Sequence, residues 1–198
     1  MQLNNARLSF PSLFHPELFA GENPRYQAVF VFEPNSPEIE RLQAEINRVA
    51  IEKWPNGAPQ GLETFLHPNA NKAATAGFDE GGWYFNGRSK TALMLVDQNA
   101  QTLTERDEKF YPGCYVNVMI DIYAFVKKGL KSRICCTLRG VQFAMDGDPF
   151  GASAEPITPF NVLPNAVPAA EPQGATDPDS FATQAAVPAS VAASLFAT

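Results

Sequence analysis

The sequence predicts a mainly β protein with one clear α-helix. Three observations predict it. Residues 110–148 alternate apolar and polar side chains through two long runs separated by a basic, glycine-containing loop. Residues 36–57 hold a stripe of apolar residues at helical spacing, with start and stop signals at its ends. Elsewhere, short apolar runs are punctuated by Gly, Pro and Asn.

Taken in order, Leu3 to Phe10 reads as a strand, with Leu8 and Phe10 alternating against Arg7 and Ser9 until Pro11 stops it. Pro11 to Pro24 reads as an ordered loop with Leu13, Phe14, Leu18 and Phe19 tucked inward. In Tyr26 to Phe32, both parities are largely apolar, which predicts a central strand. Ser36 supplies an N-cap and Pro37 the first helical position. Ile39, Leu42, Ile46, Val49, Ala50 and Trp54 form the stripe, and Pro55-Asn56-Gly57 ends it. Glu38, Arg41, Glu45 and Arg48 form an ordinary solvated face. Residues 55–82 read as one long loop, a length that usually has a functional reason. Trp83 to Lys90 is a short strand placing Tyr84 and Phe85 just ahead of Arg88 and Lys90, and Ala92 to Val96 is another. Tyr111-Pro112-Gly113-Cys114 then turns the chain into the hairpin.

On the hairpin's outgoing strand, Val116, Val118, Ile120, Ile122 and Ala124 share one face, which suits a core. Tyr115, Asn117, Met119, Asp121, Tyr123 and Phe125 share the other. The loop brings Lys127, Lys128 and Lys131, with Gly129 permitting its turn. On the return strand Ile134, Cys136 and Leu138 face the core, while Arg133, Cys135, Thr137 and Arg139 face out.

The chain of 198 residues carries a net charge of −6, unevenly placed. Between Phe110 and Phe143, five cations stand against Asp121 alone; beyond Phe150 lie Glu155, Glu171, Asp177 and Asp179 with no cation. The acidic total therefore does not exclude a nucleic-acid partner. Residues 156–198, rich in Ala, Pro, Ser and Thr, have the composition of a disordered acidic tail. Within it, Asp177, Asp179, Phe181 and Phe196 are candidates for recruiting partner proteins. This divides the chain into a folded domain, 1–155, and a tail, 156–198.

Cys114, Cys135 and Cys136 fit no disulfide framework or zinc pattern and suit a reducing compartment; no metal or cofactor is expected. The N-terminus is unlike a signal peptide, and no run is long enough to span a membrane. Phosphate-binding, dinucleotide, zinc-protease and serine-hydrolase motifs are absent. Asp97 with Asp121, or Cys114 with His15 or His67, are weak catalytic candidates, since nothing in the sequence brings them together. Aromatic rings beside cations form the stronger constellation, because single strands are held by stacking on rings and by a basic groove along the backbone. Tyr84, Phe85, Tyr115, Tyr123 and Phe125 are the candidate stackers; Arg88, Lys90, Lys127, Lys128, Lys131, Arg133 and Arg139 are the candidate phosphate contacts. The same pattern also describes rings packed under a loop beside solvated lysines, and periodicity alone does not separate the two.

Several segments carry a family resemblance: Asn5-Ala6-Arg7-Leu8-Ser9-Phe10-Pro11-Ser12-Leu13-Phe14, Tyr26-Gln27-Ala28-Val29-Phe30, Tyr84-Phe85-Asn86-Gly87-Arg88-Ser89-Lys90 with Val96-Asp97, Tyr111-Pro112-Gly113-Cys114-Tyr115-Val116, and Leu138-Arg139-Gly140-Val141-Gln142-Phe143 with Asp146-Gly147. Over residues 3–155 the chain resembles a phage family of single-stranded-DNA-binding proteins with an OB-fold, long catalogued as a domain of unknown function. The resemblance implies an OB-fold-like five-stranded barrel with insertions. It implies single-stranded-DNA binding in phage replication or recombination; with the residues above, the expectation is non-enzymatic, largely sequence-independent binding in the host cytoplasm, with replication or recombination proteins as partners of the acidic tail. It carries over no catalytic residue and leaves homo-oligomerisation open. A structural or adaptor protein is the alternative. One departure stands out: an OB barrel places its helix between the third and fourth strands, whereas the helix here follows the second.

Overall fold

The computed structural model describes residues 1–18 and 23–151. Its strands are β1 (Gln2–Glu17), β2 (Arg25–Phe32), β3 (Leu66–Pro68), β4 (Trp83–Ser89), β5 (Met94–Val96), β6 (Tyr115–Phe125) and β7 (Arg133–Met145). Among the described residues a single α-helix, α1 (Pro37–Lys53), follows β2. All seven strands join one open sheet in the order β3-β4-β2-β1-β6-β7-β5. Five are long, as expected of an OB-like domain; the other two, of three residues each, sit at the sheet's edges.

α1 runs between its expected start and stop, and it buries Ile39, Leu42, Ile46 and Val49. Glu38 departs from the solvated face expected of it. It is buried, accepting hydrogen bonds from Asn4 Nδ2 at 3.2 Å and from Arg41 Nη1 at 2.8 Å, so its charge is paired.

The hairpin of β6 and β7 has the expected faces. Val116, Val118, Ile120, Ile134 and Leu138 are buried, and Ile122, Ala124 and Cys136 pack at the margin. One feature was not legible. Met119 pairs with Gly140 and Ile120 with Leu138, so Arg139 is an extra residue. This β-bulge reverses the parity of β7, and Val141 and Phe143 therefore point inward although they alternate out of step with Leu138.

β1 corrects the expectation most. The strand does not stop at Pro11; it continues to Glu17, with a register shift against β2 between Ser9 and Ser12. Proline is tolerated at such a bulge because no ladder bond needs its missing N–H. Leu13 is buried as expected, but Leu18 is 68% exposed, and Phe19 lies outside the described residues. The long loop also hides structure: β3 pairs with β4, and a 3-10 turn spans Asn69–Lys72.

The sheet curls until β4 faces β7. Gly87 allows this approach, since a Cβ there would meet the Phe30 ring at 2.8 Å and Leu138 Cβ at 3.4 Å. The seam stays open, because no strand pairing joins β4 to β7 among the described residues. One bridge spans it from the segment before β3: Ile134 N–H donates to the Glu63 carbonyl at 2.8 Å and Glu63 N–H to the Ser132 carbonyl at 3.3 Å. β2 is central, as both its apolar faces predict. Ala28, Phe30 and Phe32 enter the main core, while Val29 and Val31 pack on the outer face with Phe78 and Tyr84.

Candidate nucleic-acid interface

Beyond its pairing with β3, Asn86–Ser89 of β4 has no strand partner on the side facing β7 among the described residues. The seam here is a cleft of about 620 Å³, lined by Arg25, Arg88 and Lys90 on one side and by Tyr123, Arg133 and Arg139 on the other. Phe65 and His67 line it from the segment around β3. A second cleft of about 460 Å³ crosses the outer face of β1, β2 and β4, lined by Phe10, Gln27 and Lys72 among others. Asn86 and Arg88 line both, so the two clefts adjoin at β4. Their cations are Arg25, Lys72, Arg88, Lys90, Arg133 and Arg139; their carboxylates are Glu17 and Glu63. Such a surplus on a chain of net charge −6 focuses positive potential on this surface.

The structure separates the expected site residues. Tyr123 is 44% exposed and lines the seam cleft with Arg88, Lys90, Arg133 and Arg139. Phe125 is half-buried opposite Arg133, toward the hairpin tip, where Lys127, Lys128 and Lys131 are all exposed. Lys131 Nζ is 2.9 Å from Glu63 Oε1, and this pair holds the Glu63 carboxyl below its ordinary range. Arg139 Nε donates to Asp121 Oδ2 at 2.6 Å, an exposed pair that contributes little and that a phosphate can displace.

Two aromatics are corrected, and a third lies apart from the clefts. Phe85 is 0% exposed, enclosed by the rings of Phe30, Phe32 and Phe65 with centroids 5.2, 6.0 and 5.5 Å away. Tyr84 lies on the outer face but is buried under Phe78. Neither offers a ring face to a base, because a strand with apolar residues on both parities is covered on both sides. Tyr115 sits eight residues along β6 from Tyr123, roughly 26 Å at strand rise. Its hydroxyl donates to Glu33 Oε1 at 3.0 Å, its ring lies against Arg7, and it lines neither cleft.

Phe10, Arg25, Phe65, His67 and Lys72 also line the clefts, and the sequence reading assigned none of them to a nucleic-acid surface. Burial, then the Lys72 ammonium, depresses the pKa of His67 and favours its neutral form. The catalytic candidates do not assemble. Cys114 is fully buried and burial pushes its thiol up, away from the reactive thiolate. The Asp97 carboxylate accepts the backbone N–H groups of Asn99 and Gln101, both at 2.8 Å. Among the described residues no group of three or more His, Cys, Asp and Glu side chains could hold a metal ion, and no helix is long and apolar enough to cross a membrane. Asp177, Asp179, Phe181 and Phe196 lie outside the described residues.

A family model described as the ssDNA-binding protein of Enterobacter phage Enc34 matches residues 1–170. The chain belongs to this family. Protein p50 of Acyrthosiphon pisum secondary endosymbiont phage 1 is 32% identical over 173 residues, covering 82% of this chain and 93% of that protein. Among solved structures, the single-stranded DNA-binding protein of bacteriophage Enc34, in complex with ssDNA, superposes with a TM-score of 0.64 at 23% identity. That match covers 76% of this chain and 88% of the other. The single-stranded DNA-binding protein gp2.5 of bacteriophage T7 superposes with a TM-score of 0.55 at 10% identity, covering 82% and 98%. These likenesses place the fold among OB-like phage proteins.

Within the Enc34 family frame, Tyr123 is the exposed ring best placed in the seam. Tyr123→Ala is expected to weaken oligonucleotide binding by roughly 1–3 kcal/mol, the contribution of one stacked base. Stability should move by no more than about 0.5 kcal/mol, as for an ordinary surface substitution. Parallel melting and fluorescence-anisotropy titrations check this, and a melting collapse would reassign Tyr123 to the core.

Proposed function

We propose that this protein binds single-stranded DNA through the groove across β1, β2, β4 and β7, without enzymatic turnover and largely without sequence preference. It serves phage DNA replication or recombination in the host cytoplasm. The observation that carries the reading is the pair of adjoining cation-lined clefts, with Tyr123 at the wall of one, in a member of the Enc34 family. The Enc34 protein, whose fold the chain shares, was captured with ssDNA. Cations meeting phosphates make binding fall with salt, and rings meeting bases make it tolerant of sequence. An unpaired base has an exposed face for such a ring, which a base inside a duplex lacks.

Anisotropy of labelled oligo-dT, titrated with the full chain at low and high salt, tests the reading. The expected result is micromolar or tighter binding at low salt that weakens as salt rises. No binding at micromolar protein in low salt overturns it. Incubation of labelled DNA with magnesium or manganese tests the absence of turnover; cleavage abolished by an acidic-residue substitution would make the protein a nuclease.

The hairpin lysines should contribute less than the groove. Lys127, Lys128 and Lys131 changed together to Ala are expected to weaken low-salt binding only a few-fold. The slope of log K against log salt should fall by at most ~2, since each phosphate contact to a single strand contributes about 0.7. Anisotropy over a salt series measures both.

A further inference from the structure

The bulge in β1 lies between the pairings Ser9↔Val29 and Ser12↔Gln27. Phe10 occupies it with a φ of 46°, a left-handed conformation that L side chains rarely adopt. Bulges re-aim side chains, and this one turns a phenyl ring outward until it is 58% exposed. Core packing does not account for the arrangement, because Phe10 belongs to neither buried cluster.

Lys72, the last residue of the 3-10 turn, stands at the same cleft. Its Nζ lies 5.4 Å from the centroid of Phe10, 5.1 Å from that of Phe78 and 4.9 Å from that of Tyr84. It makes no ion pair among the described residues. Burial holds its pKa below the ordinary lysine value. Ring faces attract the ammonium but do not neutralise it. Among the described residues no carboxylate pairs with Lys72 and no ring stacks on Phe10, and one nucleotide supplies both an anion and a flat partner. Arg88 joins the corner to the seam cleft, while Glu17, the carboxylate lining it, opposes an anion on that side.

We propose that Phe10 and Lys72 form a nucleotide subsite of the single-stranded-DNA groove, with Phe10 stacking on a base and Lys72 contacting a neighbouring phosphate. The subsite rests on the single-stranded-DNA reading and extends the strand's path across the outer face to β1, beyond the hairpin and β4.

Three full-length variants test it: Phe10→Leu, Phe10→Trp and Lys72→Met. The leucine removes the aromatic face and keeps an apolar side chain. The methionine removes the charge and keeps the stem that covers Phe78 and Tyr84. Oligo-dT binding to Phe10→Leu is expected to weaken about five- to hundredfold, the loss of one stacked base, whereas Phe10→Trp retains affinity. Lys72→Met is expected to lower the salt slope by about 0.7. In Phe10→Trp, oligo-dT should quench emission beyond the change seen for the wild-type Trp54 and Trp83, a readout that a purely structural role for Phe10 would not move. If the wild type binds while Phe10→Leu and Lys72→Met keep its affinity and slope, or if the Phe10→Trp variant shows no added quenching, the subsite is overturned. If the wild type itself does not bind oligo-dT, the failure belongs to the single-stranded-DNA reading.

Discussion

Phe85→Ala is expected to cost about 3–5 kcal/mol of folding stability, the range for deleting a buried phenyl ring. The ring is fully buried among Phe30, Phe32 and Phe65, so its removal opens a cavity inside the curled sheet. Domains typically have only about 5–15 kcal/mol in hand. At ~2–4 °C per kcal/mol for a domain of this size, the melting temperature should fall by roughly 6–20 °C, measured by thermal denaturation followed by circular dichroism. Phe85→Leu separates core from contact. It refills most of the volume, so the variant stays folded, and oligo-dT affinity should match the wild type. A stable Phe85→Leu protein that has lost affinity would return Phe85 to the binding surface.

The same ring shows where the sequence could and could not be read. Tyr84 and Phe85 just ahead of Arg88 and Lys90 have the composition of a nucleic-acid surface, yet alternation sends Phe85 into the main core. It sends Tyr84 outward to a place that Phe78 covers. A hint was present, since Val29 and Val31 on the second face of β2 require a cover, and the 55–82 segment is the one that supplies it. The faces of β6 and the bounds of α1 were legible because each depends on local periodicity and local stop signals. Arg139's bulge, the short β3 and the passage of β1 through Pro11 depend on a partner strand and leave little local trace. Tyr123, Arg133 and Arg139 could be named from one hairpin. Phe10 and Lys72 meet only because the fold brings together residues 62 positions apart in the chain. A proline after a strand residue reads as an end until the neighbouring strand shows a bulge.

Arg88→Ala combined with Arg133→Ala is expected to produce the largest loss of DNA affinity. Arg88 lines both clefts and makes no ion pair among the described residues, so its guanidinium stands where any strand following the groove must pass. Arg133 faces it across the seam, held only loosely by Glu63 at 3.9 Å. A charge-assisted contact contributes roughly 1.5–3 kcal/mol, so losing two should weaken low-salt binding by about 3 kcal/mol or more, at least on the order of a hundredfold. The salt slope should fall by about 1.4, two contacts at ~0.7 each. The opposite change gives a control that general damage to the fold cannot imitate. Glu63 is the carboxylate lining the seam cleft, and it occupies Lys131 and Arg133 at once. Glu63→Gln removes that competitor while leaving the backbone bridge to β7 in place, so it should tighten oligo-dT binding, most visibly at low salt where screening is weakest. Anisotropy titrations on both variants decide the matter. A double-arginine variant within threefold of the wild type, or a Glu63→Gln protein that binds more weakly, would move the DNA path off the seam.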